Sequence, residues 1–205
     1  MLPIRFSRKG LSLVEVSVTV GILLLLFGAI SLIYQSSARV WRKVDSRTAL
    51  LRETQVVARN LERALEVTHP FGLARADNAV AYLSATDASN TLETDAEGRL
   101  LWKRFVILYV DPAGRIRRRY LPLAGPTPDP PSFQQETGAS LEDFLTGPEP
   151  TDSYLTHTGV ITRFELKNSG DYGSLYELIV EGEEPVGTGR KEHMSLRTKV
   201  SIRNY

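Results

Sequence analysis

The sequence predicts an α+β fold in which a long N-terminal α-helix is laid on an antiparallel β-sheet head. Three observations carry this. From Leu11 to Val67 the apolar residues run continuously or recur at spacings of three and four, with no proline and no glycine after Gly28. After Gly72 the period changes to two. The closing stretch Met194–Arg203 alternates cleanly, with Leu196, Thr198, Val200 and Ile202 on one side and Arg197, Lys199, Ser201 and Arg203 on the other. That pattern describes a strand with one buried and one wet face, as in an antiparallel sheet covered on one side.

The first element is the apolar run Leu11–Tyr34, 24 residues with a single charge, Glu15. As a helix it measures about 36 Å, which exceeds the roughly 30 Å hydrocarbon core of a bilayer. It is therefore read as a transmembrane helix. A secretory signal peptide would have a shorter apolar region followed by its cleavage site; here a glycine, Gly10, stands in front of the run instead. Orientation is not set by charge, because Arg5, Arg8 and Lys9 before the run are balanced by Arg39, Arg42, Lys43 and Arg47 after it. Gly21 and Gly28 lie seven apart on one helical face, where they would let a neighbouring helix come close.

The helical pattern continues over residues 35–68 as an amphipathic stalk. Trp41, Val44, Thr48, Leu51, Gln55, Ala58, Leu61 and Leu65 form its expected apolar stripe, with Thr48 and Gln55 as polar interruptions. A helix over Leu11–Val67 would be about 85 Å long; the alternative is two helices broken near Gln35-Ser36-Ser37. His69-Pro70-Phe71-Gly72 supplies the stop, since proline disfavours helix in the residue before it.

The head, residues 69–205, is read as strands and turns. Ala79–Leu83 and Leu100–Val110 are strand candidates, the second rich in β-branched and aromatic residues. Asp111-Pro112-Ala113-Gly114 has turn chemistry, so Arg115–Leu123 should return antiparallel. The Pro-rich stretch within 124–150 reads as a long loop with a short helix near Ser140–Phe144. Gly159–Lys167, a turn at Asn168–Gly173, and Ser174–Val180 complete the set with Met194–Arg203. The amphipathic half of the helix is the expected cover of the sheet.

Composition limits function. The chain has 25 basic and 24 acidic residues and no cysteine, which excludes disulfides and thiol chemistry and gives no global electrostatic case for nucleic acid. No GxSxG, HExxH, Walker or dinucleotide fingerprint occurs. His69, His157 and His193 are too scattered to nominate a zinc site. The acidic loop Asp87, Glu93, Asp95 and Glu97 lacks the alternating carboxylates of a calcium loop. Trp41 and Trp102 are read as packing or interface residues. Arg115, Arg117, Arg118 and Arg119 form a basic run, read as a solvated edge strand that uses charge against aggregation; the alternative is a surface that touches DNA, an anionic sugar or a partner's acidic patch, although with only Tyr120 interleaved a nucleic-acid platform is not supported. The expectation is a chain that is not an enzyme and holds no cofactor or metal.

One carboxylate inside the apolar run is costly, about 2.5–3.5 kcal/mol near a bilayer centre, so Glu15 should have a partner or a task. The octapeptide Lys9-Gly10-Leu11-Ser12-Leu13-Val14-Glu15-Val16 resembles the processing site of type IV prepilins and type II secretion pseudopilins. The resemblance implies a prepilin leader over residues 1–10, cleavage after Gly10 by prepilin peptidase, and N-methylation of the new terminus, Leu11, where the family prefers phenylalanine or methionine. Loss of the leader would change the formal charge from +1 to −2. It further implies that Glu15 serves filament assembly by meeting the Leu11 amine of an adjacent subunit. Such a pair acts mainly by setting register, because desolvation cancels much of its Coulomb gain.

The motif itself covers residues 5–34, and the head is similar to pilin-like proteins in architecture. Within that superfamily the chain looks most like the J-type minor pseudopilin or a PilW-like minor pilin, through Gln55–Leu65 and the ending Leu196–Asn204. The implied partners are other pilin or pseudopilin subunits, prepilin peptidase, the inner membrane and its assembly platform. The implied location is a single-pass inner-membrane protein with a periplasmic or extracytoplasmic head, entering a filament or its tip. A secretion pseudopilus and a pilus for motility, adhesion or DNA uptake both fit the residues. So does, from another class, a signal-anchored extracytoplasmic binding domain or enzyme.

Overall fold

In the computed structural model, residues 12–86, 91–156, 159–169, 175–185 and 191–202 are described. The chain divides into two units, Met1–Asp45 and Ser46–Tyr205. The first helix, α1 (Leu13–Glu66), contributes to both. It is followed by β1 (Ala74–Ala76), β2 (Ala79–Ser84), β3 (Trp102–Val110), β4 (Ile116–Thr127), α2 (Phe133–Thr137), α3 (Leu141–Phe144), β5 (Ser153–Tyr154), β6 (Ile161–Asn168), β7 (Leu175–Pro185) and β8 (Lys191–Ser201). The α+β class holds: a long N-terminal helix and antiparallel sheets.

In the first unit α1 is helical straight through Gln35–Ser37, without the alternative break. Its most apolar 18-residue stretch is entirely unburied. The helix is long and apolar enough to cross a membrane and lies near the N-terminus, as a membrane anchor or a signal sequence would. Its hydroxyls are satisfied internally: Ser17 Oγ donates to the Leu13 carbonyl at 2.9 Å and Thr19 Oγ1 to the Glu15 carbonyl at 2.7 Å. This back-bonding hides polar groups within an apolar surface.

In the second unit the rest of α1 buries Leu50, Thr54, Val57, Ala58, Leu61 and Leu65. The expected stripe is right from Ala58 onward and one residue out before it. Leu51 is 38 % exposed, and Thr48 is exposed too. Trp41 and Val44 are exposed in the first unit. Spacings of three and four fit more than one register where apolar residues are adjacent, as at Leu50-Leu51 and Val56-Val57-Ala58. Thr54 can take an inward position because its Oγ1 donates to the Leu50 carbonyl at 3.0 Å. The helix ends where expected. Thr68 is buried and its Oγ1 donates to the Leu83 carbonyl at 2.7 Å, and a 3-10 turn follows at Pro70–Gly72.

The head contains a five-stranded sheet in the order β1-β2-β3-β4-β5 and a three-stranded sheet β6-β7-β8, all pairs antiparallel. The β3–β4 hairpin turns at Asp111–Gly114, as predicted. Gly114 sits at φ 74°, and Asp111 Oδ1 accepts from the amides of Ala113 at 2.9 Å and Arg115 at 3.0 Å. The same glycine receives the second sheet: the Ile161 amide donates to its carbonyl at 2.9 Å. Asn78, in the left-handed region at φ 58°, also joins the sheets, accepting the Phe164 amide on Oδ1 at 3.0 Å.

Strand β3 is buried on both faces. Val106 and Leu108 join the core made with α1, β6, β7 and β8, whereas Phe105, Ile107 and Tyr109 join a second core with Phe133 and Leu141. One covered side therefore describes the three-stranded sheet, where β8 alternates inward and outward as the sequence requires. It does not describe the five-stranded sheet. The Pro-rich stretch there is a second cover, with Phe133 packed edge-on against both Phe105 and Phe144. Ser140 caps α3, the expected short helix. Helix α2 was not foreseen, although Ser132-Phe-Gln-Gln135 carries the capping-box pattern and both of its hydrogen bonds form.

Candidate functional site

Gly10 and Leu11 lie outside the described residues. Glu15 is described, and it does not stand alone. Its Oε2 accepts from the Ser12 amide at 2.9 Å, while the Glu15 amide donates to Ser12 Oγ at 3.2 Å. These reciprocal bonds are a capping box closing the first turn of α1. The carboxylate is thus turned back over the helix N-terminus, where the partial positive charge of the helix also favours it by about 0.3–1 kcal/mol. Ser12 is a residue the sequence reading missed. The Ser-x-x-Glu spacing ahead of an apolar run was the available signal.

The surrounding geometry isolates this carboxylate. Leu13, Val14, Val16 and Val18 are all exposed, so the first turns present an apolar surface carrying one acid. Such a surface can enter a hydrocarbon phase or pack against like helices.

In the head, the basic run is largely built into the structure, which corrects its reading as a solvated edge. Strand β4 lies there between β3 and β5, with Arg117 opposite Tyr154 and Arg118 opposite Ser153. Arg117 donates through Nε to Asp111 Oδ2 at 2.9 Å and through Nη2 to Tyr154 Oη at 2.6 Å. The Asp111 hydrogen bond raises the Arg117 pKa further. Arg119 is buried and bonded to Asp152 through Nε at 2.9 Å and Nη2 at 3.0 Å. Burial alone would raise the Asp152 carboxyl; hydrogen bonds from Arg119, Tyr109 and the Glu149 amide outweigh it and hold the group at about 2. Burial, and then the Asp152 hydrogen bond, push the Tyr109 hydroxyl up to about 12. This network anchors the end of the second cover. It was not legible because Asp152 lies 33 positions from Arg119 and 43 from Tyr109.

The other candidates resolve locally. In the acidic loop, Asp95 accepts the amides of Glu97 at 3.0 Å and Arg99 at 2.8 Å, and Glu93 pairs with Lys103 at 2.5 Å; Asp87 lies outside the described residues. Burial lowers the His69 pKa, and its Nδ1 accepts the Phe71 amide at 3.3 Å. His193 is on the exposed face of β8, and His157 is outside the described residues. Among the described residues no cluster of His, Asp or Glu could hold a metal ion. Trp102 is buried and Trp41 is 67 % exposed.

Compared with protein-family models, curated proteins and solved structures, the chain matches none.

Proposed function

We propose that this chain is a minor pilin or pseudopilin subunit, cut after Gly10 and assembled through its N-terminal helix into a type II secretion pseudopilus or a type IV pilus. The observation that carries the reading is the stretch of α1 from Leu13 to Tyr34. It is exposed throughout, and its one charge is the Glu15 carboxylate in the first turn. A helix of this kind needs either lipid or other helices around it, and a filament core supplies the second after the membrane has supplied the first. The likeness of Lys9–Val16 to prepilin processing sites names the machinery that would connect the two states.

Glu15 has a distinct task in each state. Within the membrane the capping box gives the carboxylate local hydrogen bonds, which reduces the cost of its burial. In the filament it pairs with the methylated Leu11 amine of a neighbour and sets the axial register. The head, two antiparallel sheets packed around buried cores, is read as the part of the subunit that the N-terminal helix carries into the filament.

Two measurements test this. Mass spectrometry of the mature N-terminus should find N-methylated Leu11; an intact Met1 terminus refutes processing. Glu15→Val and Glu15→Gln should both insert in the membrane and both be absent from sheared filaments. Glutamine keeps the capping box but not the charge, so normal assembly of Glu15→Gln would refute the ion pair.

A further inference from the structure

Among the described residues the two sheets of the head have four edges, and three of them are blunted. Strand β1 is three residues long and β5 two. Strand β6 has a register shift between Ile161 and Arg163. Its Ile161 amide already donates to the Gly114 carbonyl at 2.9 Å, and its Phe164 amide to Asn78 Oδ1 at 3.0 Å. Short strands, irregular registers and covered edges all discourage further pairing. Strand β8 has none of these devices. All eleven of its residues pair with β7 without a register shift, and it contains no proline. It stands last in the order β6-β7-β8, so its outer side, from Met194 to Ser201, is a long and regular edge.

Both faces of β8 specify what a further neighbour would have to be. On the inner face Met194 and Leu196 pack on the core but are only partly buried, whereas Val180, opposite Leu196 on β7, is fully buried. An added strand with apolar residues inward would complete their cover. On the outer face charge alternates from strand to strand. The row Lys167–Glu177–Lys199 reads plus, minus, plus. Strand β7 carries Glu177, Glu181 and Glu183 there, while β8 carries Lys191, His193, Arg197 and Lys199 and no acid. Opposite charges directly across a ladder stabilise it and like charges oppose it. Basic side chains on an edge therefore repel a basic strand and favour an acidic one.

We propose that the outer edge of β8, Met194–Ser201, docks an extended segment of a partner protein in which acidic and apolar residues alternate. The segment adds a fourth strand to the β6-β7-β8 sheet. Backbone hydrogen bonds supply the pairing, Arg197 and Lys199 meet its carboxylates, and Met194 and Leu196 meet its apolar side chains. A second copy of β8 does not suit this edge. Its exposed face offers only basic residues and serine, so self-pairing would set like charges against one another in any register. Docking here uses only the head and stands or falls apart from the filament reading.

The test uses the full chain in non-ionic detergent and a fluorescein-labelled peptide of about nine residues alternating valine and glutamate, long enough to span the edge. Fluorescence anisotropy at low salt should show saturable binding, and amide hydrogen exchange should slow within β8 when the peptide is bound. A peptide alternating valine and lysine should bind at least about tenfold more weakly. Arg197→Gln and Lys199→Gln should each weaken binding of the glutamate peptide about two- to fivefold. Arg59→Gln, on the exposed surface of α1, should bind as the parent does. The double reversal Arg197→Glu with Lys199→Glu should exchange the preference between the two peptides. Lys199 stands opposite Glu177, so the reversal can unfold the sheet; the glutamine variants then carry the test. The proposal is overturned by an absence of saturable binding, by equal binding of the lysine peptide, or by exchange that slows elsewhere and not in β8. A dimer in analytical ultracentrifugation that itself protects β8 would assign the edge to a second copy and overturn it as well.

Discussion

Replacing Asp152 by alanine should remove the buried anchor of the Pro-rich cover. Its carboxylate, with no exposed side-chain surface, accepts from Tyr109 Oη at 2.5 Å, Arg119 Nε at 2.9 Å, Arg119 Nη2 at 3.0 Å and the Glu149 amide at 2.6 Å. Alanine leaves the Arg119 guanidinium, only 5 % exposed, with the half-exposed Glu149 at 2.9 Å and the Gly147 carbonyl at 2.6 Å. Breaking a buried ion pair from one side costs about 3–5 kcal/mol. The two partners that remain place Asp152→Ala at the lower end, about 3 kcal/mol. For a domain of this size each kcal/mol moves Tm by about 2–4 °C, so the melting transition should fall by about 6–12 °C. Differential scanning calorimetry reads it directly.

The acid limb gives a second check on the same residue. The folded pKa of Asp152 is depressed, at about 2 against 3.8, a shift corresponding to about 2 kcal/mol. A depressed carboxyl stabilises the fold above its unfolded pKa and loses that contribution as pH falls through the folded one. The parent should therefore lose stability between about pH 4 and pH 2 more steeply than Asp152→Ala does. Removing both charges with Asp152→Leu and Arg119→Met should restore much of the lost stability, because an apolar replacement of a buried pair is often neutral. A fall in Tm under about 2 °C for Asp152→Ala, or a double variant no better than the single, would refute this account.

Two further predictions concern the helix and the turn. Leu61→Ala removes a fully buried side chain and should cost about 2–5 kcal/mol. Leu51→Ala, which the sequence stripe had placed inward, should cost under about 1 kcal/mol; equal losses in urea unfolding would refute the observed register. At Gly114, φ is 74° and an added Cβ would lie 2.9 Å from the Gly159 carbonyl oxygen. Gly114→Ala should therefore destabilise by more than about 1 kcal/mol, and an unchanged chemical-denaturation midpoint would show that this contact between the sheets carries no constraint.

What the sequence determined by itself was local. The apolar period, the absence of Pro and late Gly, and the stop at His69–Gly72 are properties of neighbouring residues, and α1 follows them. The alternation of Met194–Ile202 and the turn at Asp111–Gly114 are equally short-range. At the candidate site, Glu15 was conspicuous as a charge among apolar residues, and its Ser12 partner could have been read from a spacing of three.

Tertiary structure decided whatever depends on two distant segments meeting. Which of two adjacent apolar residues, Leu50 or Leu51, turns inward is set by the sheet beneath the helix, since both satisfy the helical period. Whether β3 is covered on one face or two depends on where the Pro-rich stretch packs, and Phe133 reaches Phe105 only through folding. The arginine run shows the same division most sharply. Alternate residues of a strand point to opposite faces, so Arg117 and Arg119 fall to Asp111 and Asp152 on one side while Arg118 turns to the Tyr120 ring on the other. A row of like charges in the sequence becomes two different environments because a sheet has two sides, and only the fold says what lies on each.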